Sequence, residues 1–164
     1  LYQAWIGAAR FCVLSTIGSA GTDGSPRGDL GPVVRIQDDK TLLLPDWPGN
    51  NRLDSLRNIV EDGRISLMFM VPGSDTVVRV NGQASLTKDP DLCASFLDNK
   101  GGPVCVMVIT VQEVYIQCAK SIKRAALWQT RNAPLVPSLG QILNEATDLE
   151  AGGASSGGYS AHTS

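Results

Sequence analysis

The chain has 164 residues, of which 43 % are apolar, and a formal charge of −2. That is enough for one hydrophobic core, and charge so evenly balanced argues against nucleic acid as the main partner, because phosphate backbones are held by an excess of Lys and Arg. The single histidine, His162, and the four dispersed cysteines, Cys12, Cys93, Cys105 and Cys118, form no metal-ligand spacing and leave little room for histidine chemistry.

In chain order, residues 11–16 form an apolar run of strand formers, and Gly18, Gly21, Asp23 and Gly24 supply turn residues. Residues 26–29 and 33–36 read as one second strand interrupted at Gly31-Pro32, and residues 41–44 as a third. A Pro/Gly loop over 45–51 leads to a helix over 52–61, with Leu53, Leu56, Ile59 and Val60 on one face. Asn51 is the expected N-cap, and Asp62-Gly63 the stop.

Residues 65–71 are almost continuously apolar, which predicts a strand buried on both faces. Residues 76–86 alternate, with Val78, Val80 and Gln83 on one side and Val77, Arg79 and Asn81 on the other. A short helix over 89–97 follows, then a β-branched stretch over 104–117 long enough to serve two edges of a barrel. Short helices are expected over 121–128 and over 139–147, the latter with Ser138 near its cap. From Ala151 the composition collapses to Gly, Ser and Ala, which predicts a flexible tail over 151–164 behind one domain over 1–150. Mainly β structure with short helices, in six strands, points to a small mixed barrel.

No apolar run is long enough to span a bilayer, no signal pattern opens the chain, and cysteines in apolar runs suit buried, reduced thiols. A cytoplasmic protein is therefore expected.

The stretch over 42–59 carries the most chemistry. A strand runs into a Pro/Gly loop and then a helix start, where free backbone N–H groups and the helix dipole favour an anion. Asn50, Asn51 and Ser55 add neutral donors there, and Arg52 adds a charge. An ordinary capped helix with a solvated arginine fits these residues equally well. Pro26, Arg27, Gly28 and Asp29 place a glycine within a strand, which marks either the close approach of a ligand or a bulged edge. Lys120, Lys123 and Arg124 form a solvated basic face, or else Lys120 or Lys123 faces the same anion as Arg52.

Four ordered blocks extend this reading: SPRGD at 25–29, PDWPGNNRLDSLRNI at 45–59, VVRVNGQA at 77–84 and YIQCAKSIKRAALW at 115–128. Together they resemble the pyridoxamine 5′-phosphate oxidase-like family of FMN-binding split barrels, nearest to a bacterial branch with these patterns. The resemblance covers residues 11–142 and implies a six-stranded split barrel that forms a homodimer, with FMN at the subunit interface.

By that resemblance Arg52 reaches the FMN phosphate, with Ser55 one turn on. Pro26, Arg27, Gly28 and Asp29 line the isoalloxazine edge. Asp46, Asn50 and Asn51 lie along the ribityl chain and phosphate, and Lys120 and Lys123 face the phosphate or the pyrimidine edge. The implied activity is an FMN-dependent oxidoreductase acting on a small molecule, with NADH or NADPH as candidate reductant. The branch carries a longer N-terminal helix than this chain. Trp47 stands where a charged residue is frequent, and Leu30-Gly31-Pro32 replaces Pro-Gly-Phe; these departures bear on the substrate pocket. Pyridoxamine phosphate as substrate is not supported by any residue. The competing readings are a flavin-binding module without turnover and a haem- or deazaflavin-binding relative on the same barrel.

Overall fold

The computed structural model describes residues 1–49, 53–98, 101–118, 120–129 and 136–151. Its elements are α1 (Tyr2–Ala8), β1 (Phe11–Gly18), β2 (Gly21–Gly28), β3 (Arg35–Ile36), β4 (Thr41–Asp46), α2 (Asp54–Glu61), β5 (Arg64–Met70), β6 (Val77–Thr87), α3 (Pro90–Ala94), β7 (Cys105–Gln117), α4 (Lys120–Ala125) and α5 (Leu139–Ala151). The strands make one antiparallel sheet in the order β2-β1-β5-β6-β7-β4-β3. Strand β7 pairs with β6 on one side and β4 on the other, as its length requires. This is the split-barrel class, with seven strands among the described residues where six are expected from sequence.

The extra strand comes from the second one. Gly21, Asp23 and Gly24 do not form a loop; they continue β2, which pairs with β1 along its whole length from Phe11↔Gly28 to Gly18↔Gly21. Arg35–Ile36 pairs with β4 at the opposite end of the sheet order. Residues 29–34 are therefore a connection between two edges and not a bulge in one strand. The backbone ties it to the start of the chain, with Asp29 N–H donating to Arg10 O (3.0 Å) and Val33 N–H to Ala9 O (2.9 Å).

One core fills the barrel. Cys12 and Leu14 of β1, Leu67 and Phe69 of β5, Val78 and Val80 of β6, and Met107 and Ile109 of β7 are all buried in it. Burial on both faces belongs to β4, through Leu42, Leu43, Leu44 and Pro45; β5, where it is expected, alternates, with Ser66, Met68 and Met70 half-exposed. Val78, Val80, Gly82 and Ala84 point inward in unbroken alternation through the register shift at Asn81/Gly82, so Gln83 faces outward and not with Val78 and Val80 as expected. Gly82 is required at this bulge, since a Cβ would lie 2.3 Å from the Thr110 carbonyl oxygen.

Helix α2 starts after Leu53, whose side chain supplies no cap; the expected cap Asn51 lies outside the described residues. Gly63, at φ +82, ends it as anticipated. Cys12 and Cys105 are buried, whereas Cys93 is half-buried and Cys118 exposed, so burial holds for only part of the cysteine set.

The chain divides into two compact units after Trp128. In the second, α5 is opened by a reciprocal cap: Gln141 N–H donates to Ser138 Oγ (3.3 Å) and Ser138 N–H to Gln141 Oε1 (2.8 Å). The tail beyond Ala151 lies outside the described residues.

Candidate functional site

Along β2 the half-exposed positions are Asp23, Ser25 and Arg27, every second residue. The period-two geometry of a strand puts all three side chains on one face. That face looks onto a cavity of about 660 Å³, whose other walls are the end of β4 with Trp47 and Pro48, and the first turn of α2 with Leu53, Asp54 and Ser55. Its size suits a cofactor or drug-sized ligand.

The cavity is organised by two polar links. Arg27 forms an ion pair with Asp46 through Nη1, joining β2 to β4, which are not neighbours in the sheet. Both side chains are largely buried, at 17 % and 13 % exposure, so the pair is shielded from solvent. Ser55 is buried and its hydroxyl donates to the Asp23 carboxylate, tying α2 to β2.

Arg27 Nε is buried and has no hydrogen-bond partner among the described residues. A buried donor left unpaired costs about 1–3 kcal/mol, so an arginine in a cavity wall with a free N–H fits a ligand acceptor. Gly28 is consistent with close approach, because the chain's own packing does not demand a glycine: a Cβ there would be 3.7 Å from both Arg10 O and Phe11 Cδ2, ordinary contact distances.

Behind this wall lies Cys12, the cross-strand neighbour of Arg27. Burial pushes its thiol up to about 12, against the opposing pull of the Arg27 charge, and it stays protonated at neutral pH. Cys105, opposite Asp46 on β7, is also raised, by burial first and the Asp46 charge second. Neither thiol is poised as a nucleophile.

The structure brings together Pro26, Arg27, Gly28, Asp29, Asp46 and Ser55 of the residues singled out in the sequence. Asn50, Asn51 and Arg52 lie outside the described residues. Lys120 and Lys123 do not line the cavity; both are exposed on α4, and Lys123 Nζ is 3.9 Å from Asp75 Oδ2. Sequence reading missed Asp23, Ser25 and Asp54 in the wall. The alternating Asp-x-Ser-x-Arg of β2 is the signal for the first two, hidden by the glycines and proline between them.

A second cavity, of about 510 Å³, adjoins the first and shares Gly28, Asp29, Trp47 and Pro48 with it. Among the described residues, no cluster of three or more His, Cys, Asp and Glu side chains is arranged to hold a metal ion, and no helix is long and apolar enough to cross a membrane.

Residues 1–118 match the pyridoxamine 5′-phosphate oxidase family, over most of the chain. The chain belongs to that family. Solved structures agree on the fold. The HupZ protein of Group A Streptococcus superposes with a TM-score of 0.56 at 19 % identity, over 71 % of this chain and 93 % of that one. General Stress Protein 26 from Bacillus anthracis gives 0.55 at 15 %, over 70 % and 88 %. An FMN-binding protein from Syntrophomonas wolfei gives 0.53 at 17 %, over 71 % and 80 %. No curated protein matches the chain. At these identities the likeness to solved structures concerns the fold, so the function of this member of the family has to be argued from its own cavity.

Proposed function

We propose that this member of the pyridoxamine 5′-phosphate oxidase family binds FMN in the cavity between β2 and β4 and acts as an FMN-dependent oxidoreductase on a small molecule, as a homodimer in the cytoplasm. The observation that carries the reading is Arg27: a guanidinium fixed by Asp46, with one buried N–H unpartnered at a cavity of cofactor size. The Syntrophomonas wolfei relative, which is named for binding FMN, supports the choice of ligand.

Bound FMN supplies the redox chemistry, and the protein supplies position and charge. Arg27 would offer its Nε–H and its charge to the flavin, while Asp46 holds the guanidinium still. Pro26, Gly28 and Asp29 would wall the cavity beside the ring. Arg52, with Asn50 and Asn51, serves the phosphate beside the start of α2. Ser55 belongs to the same turn, but its hydroxyl donates to Asp23, so its first task is to fix β2 against α2. Lys120 and Lys123 lie outside this cavity, so neither takes part in binding FMN there. Leu53 and Val104 line the cavity and are about half-exposed, at 54 % and 48 %, which gives a second protomer apolar surface to cover. An obligate interface of this kind buries roughly 2,000 Å² or more.

A flavin-binding module without turnover is the second reading. It is favoured by the described cavity wall, whose ionisable side chains are Asp and Arg, with no His, Cys, Lys or Tyr among them. A haem-binding relative has less support, because Cys118, the thiol considered as an axial ligand, is exposed and does not line the cavity.

The purified protein is expected to be yellow, to lose its flavin absorbance when NADH or NADPH is added, and to sediment as a dimer at micromolar concentration. A yellow protein that no nicotinamide reduces favours the module. A colourless protein that rejects added FMN contradicts both, and a flavin-loaded monomer contradicts the dimer.

A further inference from the structure

The register of the sheet fixes which side chains share its outward face. One row across four strands is Val13 of β1, Met68 of β5, Arg79 of β6 and Tyr115 of β7. The next row is Ser15, Ser66, Asn81 and Glu113 on the same strands. Their chain neighbours Leu14, Leu67 and Val80 are buried in the core, so both rows point away from it. Val13, Met68 and Tyr115 are half-exposed, and Ile17, further along the same side of β1, is 37 % exposed. A sheet face that meets water alternates with the core face by being polar. Here one row is apolar except for Arg79, and a polar row flanks it, which is the layout of an interaction surface.

The charges on this face are complementary to each other. Arg79 has the Tyr115 ring and long contacts to Gln117 and Ser66, but no carboxylate partner among the described residues. Glu113 is exposed, accepts Asn81 Nδ2–H at 2.8 Å, and has no cationic partner among the described residues. One cation and one anion thus stand in adjacent rows of one face. A two-fold axis passing between them would set each against its opposite on an identical face, as an isologous contact requires.

We propose that this face is where a second copy of the chain docks, with Arg79 of each protomer paired to the partner's Glu113. The proposal rests on the homodimer reading and adds to it the surface and the pairing that join the two chains. The apolar row continues to Pro26, which lies opposite Val13 and also lines the first cavity, so the docking face is continuous with the cavity wall.

The test is sedimentation of the full-length protein at saturating FMN, as wild type, Arg79→Glu, Glu113→Arg and an equimolar mixture of the two variants. Each reversal sets like charges against each other twice in its own homodimer, and should raise the dimer dissociation constant at least about tenfold. The mixture pairs Glu with Arg at both contacts and should return dimer to near the wild-type level. Glu113→Gln, isosteric and at an exposed position, covers the case of a reversal that does not fold; it should weaken the dimer and remove most of its salt dependence. Reversals that leave the dimer intact, a mixture that stays monomeric, or a Glu113→Gln dimer with wild-type affinity and salt dependence would overturn the proposal and leave the homodimer reading standing. A wild type that sediments as a monomer would remove that reading and the proposal together.

Discussion

Among the described residues, Arg27 and Arg79 each leave a buried Nε without a hydrogen-bond partner. Arg27 is fixed by a carboxylate and looks onto a cavity. Arg79 lies on a strand face, its guanidinium 5.4 Å from the centre of the Tyr115 ring, with long contacts from Nη1 to Gln117 Oε1 (3.4 Å) and from Nη2 to Ser66 Oγ (3.5 Å). The aromatic face compensates its charge in place of a ligand. The same orphaned atom therefore has two meanings, and the volume it faces decides between them.

Substitution of both arginines sharpens the contrast most. Arg27→Ala removes a charge-assisted donor, worth about 1.5–3 kcal/mol, so FMN affinity should fall roughly ten- to a hundredfold. It also strands the Asp46 carboxylate in a largely buried site, which for a buried pair costs about 3–5 kcal/mol of stability. The double variant Arg27→Ala/Asp46→Asn should recover most of that stability and little of the affinity. Arg79→Ala should leave FMN affinity within about a few-fold, having no ligand to lose. Equal loss of FMN binding in Arg27→Ala and Arg79→Ala would break the comparison.

Arg52→Ala tests the phosphate end of the same cavity. FMN binding should weaken roughly tenfold or more, while riboflavin, which lacks the phosphate, is unaffected. Arg57→Ala, further along α2, is the control and should be silent in both titrations.

Much of this was legible in the residues. The long β-branched stretch ending at Gln117 announced a strand with two neighbours, and Asp62-Gly63 announced the end of α2. The loop from Pro45 and the block around Arg27 pointed to the cavity, because Pro, Gly and Asn mark where backbone groups are free to meet a ligand. Strand β2 was obscured for a physical reason. Its sequence, GTDGSPRG, has turn composition and no apolar alternation, so its pairing with β1 is a tertiary outcome that local propensity does not reveal. The same blindness hid Asp23, and with it the partner of Ser55. Helix α1, only seven residues long, gave no periodic signal of its own; Ile6 is buried by the barrel it closes on.

Thiol labelling compares the surroundings of the two arginines without any substitution. Cys12 lies behind Arg27, and Cys118 follows the strand that carries Tyr115. Maleimide should modify exposed Cys118 promptly in the folded protein and Cys12 only through opening of the barrel, because that thiol is buried and raised to about 12. FMN should slow Cys12 further and leave Cys118 unchanged. Protection of Cys118 by FMN would place the flavin near the strand that carries Tyr115, away from Arg27.

The smallest effect concerns acid. Glu61 accepts Ser19 N–H (2.8 Å) and Ser19 Oγ–H (2.9 Å), pinning the β1–β2 hairpin to α2. These bonds, the backbone one first, hold its carboxyl below its usual 4.5. A depressed native pKa adds stability that is fully present above 4.5 and is lost as pH falls through the native value. Melting temperatures of wild type and Glu61→Gln should therefore converge as pH is lowered through that window. Parallel curves would show that the hairpin carrying Arg27 does not depend on this contact.

The central claim is that the unpartnered Arg27 Nε marks the flavin site. A crystal structure determined at saturating FMN tests it most directly. The predicted result is one flavin per chain between β2 and β4, with an acceptor atom about 2.7–3.2 Å from Arg27 Nε. A flavin bound elsewhere, or one in that cavity that leaves Arg27 Nε unpaired, would contradict it.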